Sequence, residues 1–246
     1  MPSNKKVILV GTGIKSISHI TKETELCIKR ADIVLFLVNE PILKEWIEVN
    51  AKNSRSLEKA YFSETDRTKA YKKITQDIVA SLDFHDHVCV VFYGHPTVFV
   101  ASGLNALKEI EKKDIESIVM PAISAEDCLF ADMKIDPSNG GCYSIDATEF
   151  LLKEKKLDIS SHLILWQIGM ICRQGLPTNE VNKDGLVKLQ QKLRSFYPPD
   201  TEVYVYEAAL YPGIRPSVKR SFIEQICPEQ ITTISTLYIP PIVRSE

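Results

Sequence analysis

The chain has 246 residues, and its 30 lysines and arginines nearly balance its 32 aspartates and glutamates, which gives a formal net charge of −2. Apolar residues make up 44% of the sequence and charged residues 25%, a composition that excludes disordered, collagen-like and low-complexity chains. At roughly 100 to 150 residues per domain, this length fits one large domain or two smaller ones. The balanced charge argues against a nucleic-acid-binding protein, which needs a concentrated excess of lysine and arginine.

The six cysteines are scattered along the chain and form no CxxC pair. Most lie within apolar runs such as Val88–Val91, so we expect reduced core thiols in a cytoplasmic protein. The N-terminal residues lead directly into the run Val7–Val10, which is too short for the apolar region of a signal peptide. The longest stretch without a formally charged residue, 88–107, has Gly94 and Pro96 in its middle, so no membrane-spanning helix is expected.

Short apolar runs alternate with segments of helical periodicity through the first half of the chain. The strand candidates in this half are Val7–Val10, Ile33–Val38, Val88–Phe92 and Ile118–Met120. Their alternation with charged segments predicts crossover helices on a mostly parallel sheet, in an α/β domain over residues 1–120. The apolar periodicity predicts one helix from about Asp66 to Leu82 and another from about Val98 to Lys112.

The pattern changes after Met120 and Pro121. Ser124 is a candidate helix cap, and the acidic residues that follow it suit the positive end of a helix. We therefore predict a second α/β domain over residues 121–246. Its strand candidates are His162–Trp166, Glu202–Glu207 and Ser235–Ile239.

The first strand candidate ends in Gly11-Thr12-Gly13. Glycines at the carboxyl end of a parallel strand allow a ligand to approach the backbone closely. The dinucleotide fingerprint GxGxxG is nevertheless incomplete, because Ser16 stands at the third glycine position, and the phosphate loop GxxxxGK[ST] does not occur. A tight turn without a ligand is therefore as good an interpretation as a binding loop.

The segment Tyr-Gly-His-Pro-Thr-Val-Phe (93–99) lies between a buried strand candidate and a helix. This position puts polar side chains at the carboxyl edge of the sheet, where α/β proteins bind ligands; the alternative is a simple turn. His85 and His87 could form a metal-binding pair, but a solvated turn is the favoured interpretation, and we expect no metal site.

Tyr61, Arg67 and Tyr71 form a third candidate group. Arg67 and Tyr71 are four residues apart and share one side of the first turn of a predicted helix. A guanidinium beside a phenol stabilises the phenolate and lowers its pKa from about 10, which makes a tyrosine a plausible base. The alternative is a surface arginine beside a core tyrosine.

Seven segments form an ordered set that extends over most of the chain. They are Val-Gly-Thr-Gly (10–13), Arg-Ala-Asp-Ile-Val (30–34), Tyr-Gly-His-Pro-Thr-Val-Phe (93–99), Pro-Ala-Ile-Ser-Ala-Glu-Asp-Cys-Leu-Phe-Ala-Asp (121–132), Leu-Trp-Gln-Ile (165–168), Tyr-Glu-Ala-Ala (206–209) and Ile-Ser-Thr-Leu-Tyr-Ile-Pro-Pro (234–241). This set resembles the tetrapyrrole methylase superfamily and, within it, most closely the borosin peptide α-N-methyltransferases. The resemblance implies a two-domain α/β fold that binds S-adenosylmethionine in the cleft between its domains.

The resemblance also implies two sets of site residues. Cofactor contacts are expected at Gly11, Gly13, Tyr93, His95, Val98, Phe99, Ser124, Ala125, Gln167, Tyr206, Ala208 and Thr236. The catalytic set is expected to be Tyr61, Arg67, Tyr71 and Tyr93. Two positions depart from the pattern: Glu58 stands where fungal members often carry a further tyrosine, and Ala122 stands where glycine is common.

The activity implied by the resemblance is methyl transfer from S-adenosylmethionine to backbone amide nitrogens of a peptide, with S-adenosylhomocysteine as the other product. Tyr71, assisted by Arg67, is expected to act as the base, and Tyr61 and Tyr93 to orient the amide. A homodimer is expected, with neither nucleic acid nor membrane as a partner. Only seven residues follow the last strand candidate, so we expect the acceptor to be a separate precursor peptide.

Two alternative functions remain open at this stage. The first is a methylase of corrin or porphyrin rings or of another small acceptor, which would not need the Tyr61, Arg67 and Tyr71 set. The second is a non-catalytic protein that binds S-adenosylmethionine to regulate a partner.

Overall fold

A computed structural model describes residues 5–154, 156–173, 175 and 180–242. The chain divides into two compact units, as the α/β two-domain prediction requires. Unit 1 comprises Met1–Cys128 and Ala209–Ile214, and unit 2 comprises Leu129–Ala208 and Arg215–Glu246. The domain boundary predicted between residues 120 and 121 stays a prediction.

Unit 1 is built on a five-stranded parallel sheet with helices on both faces. Its strands are β1 (Lys6–Gly11), β2 (Ile33–Leu37), β3 (Ser54–Ser56), β4 (His87–Phe92) and β5 (Glu116–Val119), in the spatial order β3-β2-β4-β1-β5. Its helices are α1 (Lys22–Arg30), α2 (Pro41–Asn50), α3 (Glu58–Phe62), α4 (Arg67–Ser81) and α5 (Ala101–Glu111). The mostly parallel sheet predicted for this half is confirmed.

Alternate residues of these strands contribute to two separate cores, because successive side chains of a strand point to opposite faces. Leu9 belongs to the core that contains Ile74 of α4. The neighbouring residue Val10 belongs to the opposite core, which contains Ile28 of α1 and Leu43 of α2.

The long helix α4 confirms the helix predicted from about Asp66 to Leu82. Asp66 is its N-cap, and the Asp66 carboxylate accepts a hydrogen bond from the Lys69 backbone N–H at 2.9 Å. The helix predicted from Val98 is wrong at its start, because α5 begins at Ala101. Phe99 has a φ of +58°, a left-handed backbone conformation that is incompatible with an α-helix.

Unit 2 contains a five-stranded mixed sheet. Its strands are β6 (Cys142–Asp146), β7 (His162–Trp166), β8 (Glu202–Glu207), β9 (Ser217–Phe222) and β10 (Thr236–Ile239), in the order β6-β7-β10-β8-β9. β6 and β7 pair in parallel, and the pairs β7–β10, β10–β8 and β8–β9 are antiparallel. Helix α6 (Ala125–Met133) crosses the boundary between the units, and α7 (Ala147–Leu152) and α8 (Lys183–Leu193) lie in unit 2. The three strands predicted for this half are confirmed, with β10 one residue shorter at its start.

Short 3₁₀ turns complete the regular structure, at Ser16–His19, Ile168–Met170, Ile223–Gln225 and Pro228–Gln230. The cysteines fit the predicted core positions only in part, since Cys89 and Cys128 are buried whereas Cys172 is exposed. Among the described residues, no helix is both long and apolar enough to cross a membrane.

Candidate functional site

The carboxyl edge of the unit 1 sheet gathers most of the residues predicted to contact the cofactor in the first half of the chain. Gly11 ends β1 and Gly13 follows it, the segment 93–99 follows β4, and Ser124 lies beyond β5. These three strands are parallel neighbours in the sheet, so the loops after them lie at the same edge. This grouping is the one that the motif positions predict.

The glycine loop after β1 and the loop after β4 are joined to each other. The backbone N–H of Gly13 donates to the Gly94 carbonyl at 3.1 Å, and the N–H of Gly94 donates to the Gly13 carbonyl at 3.0 Å. Both residues have positive φ, 70° and 73°, which glycine adopts without steric cost. A Cβ on Gly11 would lie 2.1 Å from the Gly94 carbonyl oxygen. Close packing between the two loops is therefore a sufficient reason for glycine at these positions, without a bound ligand.

Tyr93 is held in this joined pair of loops. Its hydroxyl donates a hydrogen bond to the Ile14 carbonyl at 3.3 Å, and burial raises the pKa of its phenol to about 12. Its ring packs against the core of the α1 and α2 face. Tyr61 and Tyr71 pack against the core of the opposite face, so Tyr93 is separated by the sheet from the other tyrosines of the predicted catalytic set.

Tyr61 and Tyr71 do come together, between α3 and α4. Their rings are stacked, with centroids 6.3 Å apart and an interplanar angle of 26°. The Nε atom of Arg67 is buried and has no hydrogen-bond partner among the described residues. Its positive charge acts on the Tyr61 phenol. The structure thus brings three of the four predicted catalytic residues into one group.

The electrostatics of this group differ in one respect from the sequence-based expectation. Burial and the neighbouring Tyr71 phenol raise the pKa of Tyr61, and the Arg67 charge lowers it by less. The Arg67 guanidinium thus lowers the pKa of Tyr61 in the expected direction, but the net shift of that pKa is upward. A neutral Tyr61 hydroxyl is a hydrogen-bond donor at neutral pH. Since a buried donor without a partner costs about 1–3 kcal/mol, a ligand oxygen beside the Arg67 Nε would be stabilised.

The loop after β4 presents apolar side chains to solvent. Val98 is 39% exposed and Phe99 is 45% exposed. The ring nitrogen Nδ1 of His95 lies 3.1 Å from the Thr97 hydroxyl and accepts a hydrogen bond from the Thr97 N–H at 3.3 Å. These contacts stabilise the turn that precedes Val98 and Phe99. Such a surface can pack against a flat aromatic group.

Ser124 and Ala125 open helix α6. The Ser124 N–H and hydroxyl both donate to the Asp127 carboxylate at 2.7 Å, and the Asp127 N–H donates back to the Ser124 hydroxyl at 3.2 Å. These reciprocal bonds resemble a capping box, so the predicted cap is confirmed. A cofactor contact at Ser124 stays a prediction.

The remaining predicted cofactor residues lie at one edge of the unit 2 sheet. Gln167 follows the end of β7 in a left-handed conformation, with φ 57°, and Ala208 follows the end of β8. Tyr206 in β8 is opposite Thr236 at the start of β10. The Tyr206 hydroxyl donates to the Asp132 carboxylate at 2.7 Å. The pairing of these strands places the four residues at the same edge, and a cofactor contact at each of them stays a prediction.

No group of three potential metal ligands occurs within the described ranges, and the absence of a metal site stays a prediction. Glu40 is a residue that the sequence analysis missed. It is only 5% exposed and caps the N-terminus of α2. The available signal was Pro41, since proline favours the first position of a helix and marks the preceding residue as a candidate cap.

A family model described as Tetrapyrrole (Corrin/Porphyrin) Methylases matches residues 6–221. The chain belongs to the tetrapyrrole methylase family. Within this family of tetrapyrrole methylases, the fold is similar to that of the uroporphyrin-III-C-methyltransferase from Thermus thermophilus. The TM-score is 0.68 at 19% identity, and the match covers 96% of this chain and 92% of the other.

Two curated relatives of this tetrapyrrole methylase carry borosin or cyclic-peptide names. A methyltransferase/ribosomally synthesized type I borosin cyclic peptide precursor from Coprinopsis marcescibilis is 33% identical over 98% of this chain and 63% of its own length. A methyltransferase/ribosomally synthesized gymnopeptides precursor from Gymnopus fusipes is 34% identical over 95% of this chain and 56% of its own length. The resemblance to borosin proteins is confirmed, and the chain spans about 60% of the length of these relatives.

Proposed function

We propose that this tetrapyrrole methylase transfers methyl groups from S-adenosylmethionine to backbone amide nitrogens of a peptide. The observation that carries the proposal is the group formed by Tyr61, Tyr71 and Arg67, with its buried and unpaired guanidinium Nε. The support from relatives is the identity of 33% and 34% to proteins whose names combine methyltransferase and peptide precursor.

The chemistry of amide methylation suits this group. An amide nitrogen is a poor nucleophile because its lone pair is delocalised into the carbonyl, so the N–H proton must be removed as negative charge builds on the carbonyl oxygen. We assign the removal of that proton to Tyr71, acting as general base. Tyr61, as a neutral donor, and the Arg67 Nε stabilise the carbonyl oxygen. The Tyr93 hydroxyl is already bonded to the Ile14 carbonyl, which leaves it less available to a substrate. A catalytic role for Tyr93 stays a prediction.

S-adenosylmethionine supplies an electrophilic methyl group, and we propose contacts to it from residues at the edge of each sheet. The exposed Val98 and Phe99 side chains offer an apolar surface for an adenine ring. Gln167 lies at the edge of the second sheet, where the Tyr206 hydroxyl is bonded to the Asp132 carboxylate. We propose that both groups contribute to binding, and single substitutions in either group test them separately.

The proposal is tested by mass spectrometry of the purified chain with S-adenosylmethionine and an acceptor. A suitable acceptor is the part of the Coprinopsis marcescibilis relative outside the matched region, supplied as a separate peptide. Gains in steps of about 14 Da per methyl group are expected on this peptide, and fragmentation should place them on backbone nitrogens. Such gains on the 246-residue chain itself would contradict the prediction of a separate acceptor, and no gain on either would contradict the function.

The similarity to a uroporphyrin-III-C-methyltransferase supports one alternative acceptor, a tetrapyrrole ring. Incubation of the same enzyme and cofactor with a tetrapyrrole distinguishes ring methylation from peptide methylation. Turnover of the ring that survives replacement of Arg67 by alanine would favour the alternative. Cofactor binding without turnover of either acceptor would favour a non-catalytic binding protein.

We also propose that the chain forms a homodimer through the region of Tyr61 to Tyr71. Phe62 is 63% exposed although its ring packs edge-on against Tyr61, with centroids 5.0 Å apart. Light scattering at micromolar concentration should give twice the chain mass of 27.8 kDa. Phe62→Ser should shift the mass toward the monomer, whereas Phe84→Ser, at a residue that is 83% exposed, should not. A wild-type mass of 27.8 kDa would contradict the dimer.

A further inference from the structure

Glu40 is a buried carboxylate that accepts four hydrogen bonds. It lies between β2 and α2, and its two oxygens accept from the first free N–H groups of the helix, those of Ile42 at 2.9 Å and Leu43 at 2.8 Å. The Ser16 hydroxyl donates to the same carboxylate at 2.8 Å and the Tyr211 hydroxyl at 3.1 Å. Each oxygen therefore has one helix N–H and one hydroxyl as partners.

These bonds keep the carboxylate ionised. Burial raises the pKa of Glu40, but the hydrogen bonds from Ser16, from the two helix N–H groups and from Tyr211 outweigh burial, so the pKa lies below its ordinary value. The positive end of the α2 dipole acts in the same direction. Glu40 is therefore a fixed negative charge with fixed partners.

The first of these partners belongs to the glycine loop. Ser16 stands where the third glycine of GxGxxG would be, and it is buried with a φ of +39°, a strained value for a residue with a side chain. The bond to Glu40 stabilises Ser16 in this conformation. The loop before it is held by His19, whose Nδ1 accepts from the Ile14 and Lys15 N–H groups at 3.3 and 3.2 Å.

The second partner belongs to a segment from much later in the chain. Ala209–Ile214 is part of unit 1, although the residues on both sides of it are part of unit 2. Tyr211, in the middle of this segment, is bonded to Glu40. The segment directly follows Ala208, one of the predicted cofactor contacts.

We propose that Glu40 is a positioning residue that sets the affinity for S-adenosylmethionine by holding both the Ser16 turn and the Tyr211 segment. The inference rests on the proposed function, because Gly11, Gly13 and Ala208 are its predicted cofactor residues. Glu40 acts through these backbone segments and not through contact with the reacting atoms.

The decisive substitution is Glu40→Gln, which keeps the size of the side chain and removes one acceptor. In glutamine, an NH₂ group replaces one of the two carboxylate oxygens. At either position one helix N–H loses its acceptor and faces this NH₂ group, whereas the neighbouring hydroxyl can rotate to accept a hydrogen bond from the NH₂ group. The dissociation constant for S-adenosylmethionine, measured by calorimetry, should rise about tenfold, the scale of one hydrogen bond to a charged group. Glu48→Gln, an exposed position on the same helix, makes the same charge change and should leave binding unchanged.

Milder variants keep the inference testable if Glu40→Gln folds poorly. Ser16→Ala and Tyr211→Phe each remove a single hydroxyl donor and should each weaken binding by a few-fold. In turnover assays, the KM for S-adenosylmethionine should rise in these variants while kcat at saturation stays near the wild-type value. If these residues had only a structural role, the variants would lower the midpoint of unfolding without raising KM separately from kcat.

Unchanged affinity in all three variants, with a binding-competent wild type, would overturn the role of Glu40 and leave the proposed function standing. A wild-type chain that binds neither S-adenosylmethionine nor S-adenosylhomocysteine would overturn both.

Discussion

Arg67→Ala is expected to reduce the rate of methyl transfer by about a hundredfold or more, the usual scale for a group that assists proton transfer. The buried Nε of Arg67 has no partner among the described residues, so its hydrogen bond is available to the substrate oxygen. Tyr71→Phe should cause a loss of similar size, because it removes the proposed proton acceptor while keeping the stacked ring.

The affinity for S-adenosylmethionine should change by no more than about twofold in either variant, since the effect belongs to the transition state. Calorimetry and single-turnover mass spectrometry measure the two quantities. Arg55→Ala is the matched control, because that guanidinium is exposed and donates to the Asp77 backbone carbonyl at 3.3 Å, far from the proposed chemistry. Normal turnover in Arg67→Ala, or a loss of cofactor affinity before a loss of rate, would place the chemistry elsewhere in the protein.

Gly11→Ala is expected to destabilise the protein by about 2–3 kcal/mol, the upper range for an overpacked site. The added Cβ would lie 2.1 Å from the Gly94 carbonyl oxygen and 2.8 Å from both the Pro96 ring and the Ala122 methyl group. The closest of these atoms is backbone, and the loop that carries it is tied to Gly13 by two hydrogen bonds. The two loops must therefore separate to make room.

Urea unfolding measures the loss, and S-adenosylmethionine binding should weaken in parallel because both loops carry predicted cofactor contacts. For the stability measurement Gly213→Ala is the control, since no atom of the described residues lies within 4 Å of its added Cβ. Its φ of 76° should limit the cost to about 1 kcal/mol. Equal stability losses in the two variants would contradict crowding between the loops as the main cause of the loss at Gly11.

The strands that the sequence predicts are those with continuous apolar runs. β7 and β8 match their predicted bounds: β7 is buried at every residue, and β8 has the apolar run Val203–Tyr206 between two glutamates. The strands that the sequence analysis does not predict are β3, β6 and β9, which are all edge strands. Their sequences are Ser-Arg-Ser, Cys-Tyr-Ser-Ile-Asp and Ser-Val-Lys-Arg-Ser-Phe, none of which is a continuous apolar run. An edge strand is stabilised by one neighbour and exposes much of its length, so it needs no apolar pattern.

The candidate site was predictable to the extent that it follows from motif positions at strand ends. Tyr93 shows the limit, because the face of the sheet on which its ring packs depends on where β4 ends. The Glu40 group could not be predicted, since Glu40 is separated from Ser16 by 24 positions and from Tyr211 by 171. Periodicity describes neighbours within one element and carries no signal for such contacts.

The segment Ala209–Ile214 delays the completion of unit 1 during protein synthesis. The ribosome completes the first part of unit 1 at Cys128 but must add about 86 further residues, through Ile214, before the last part of unit 1 exists. At roughly 5–20 residues per second, this takes roughly 4–17 s. During that interval Glu40 lacks its Tyr211 partner, so the first unit to be synthesised is the one that must wait for a late segment of the nascent chain.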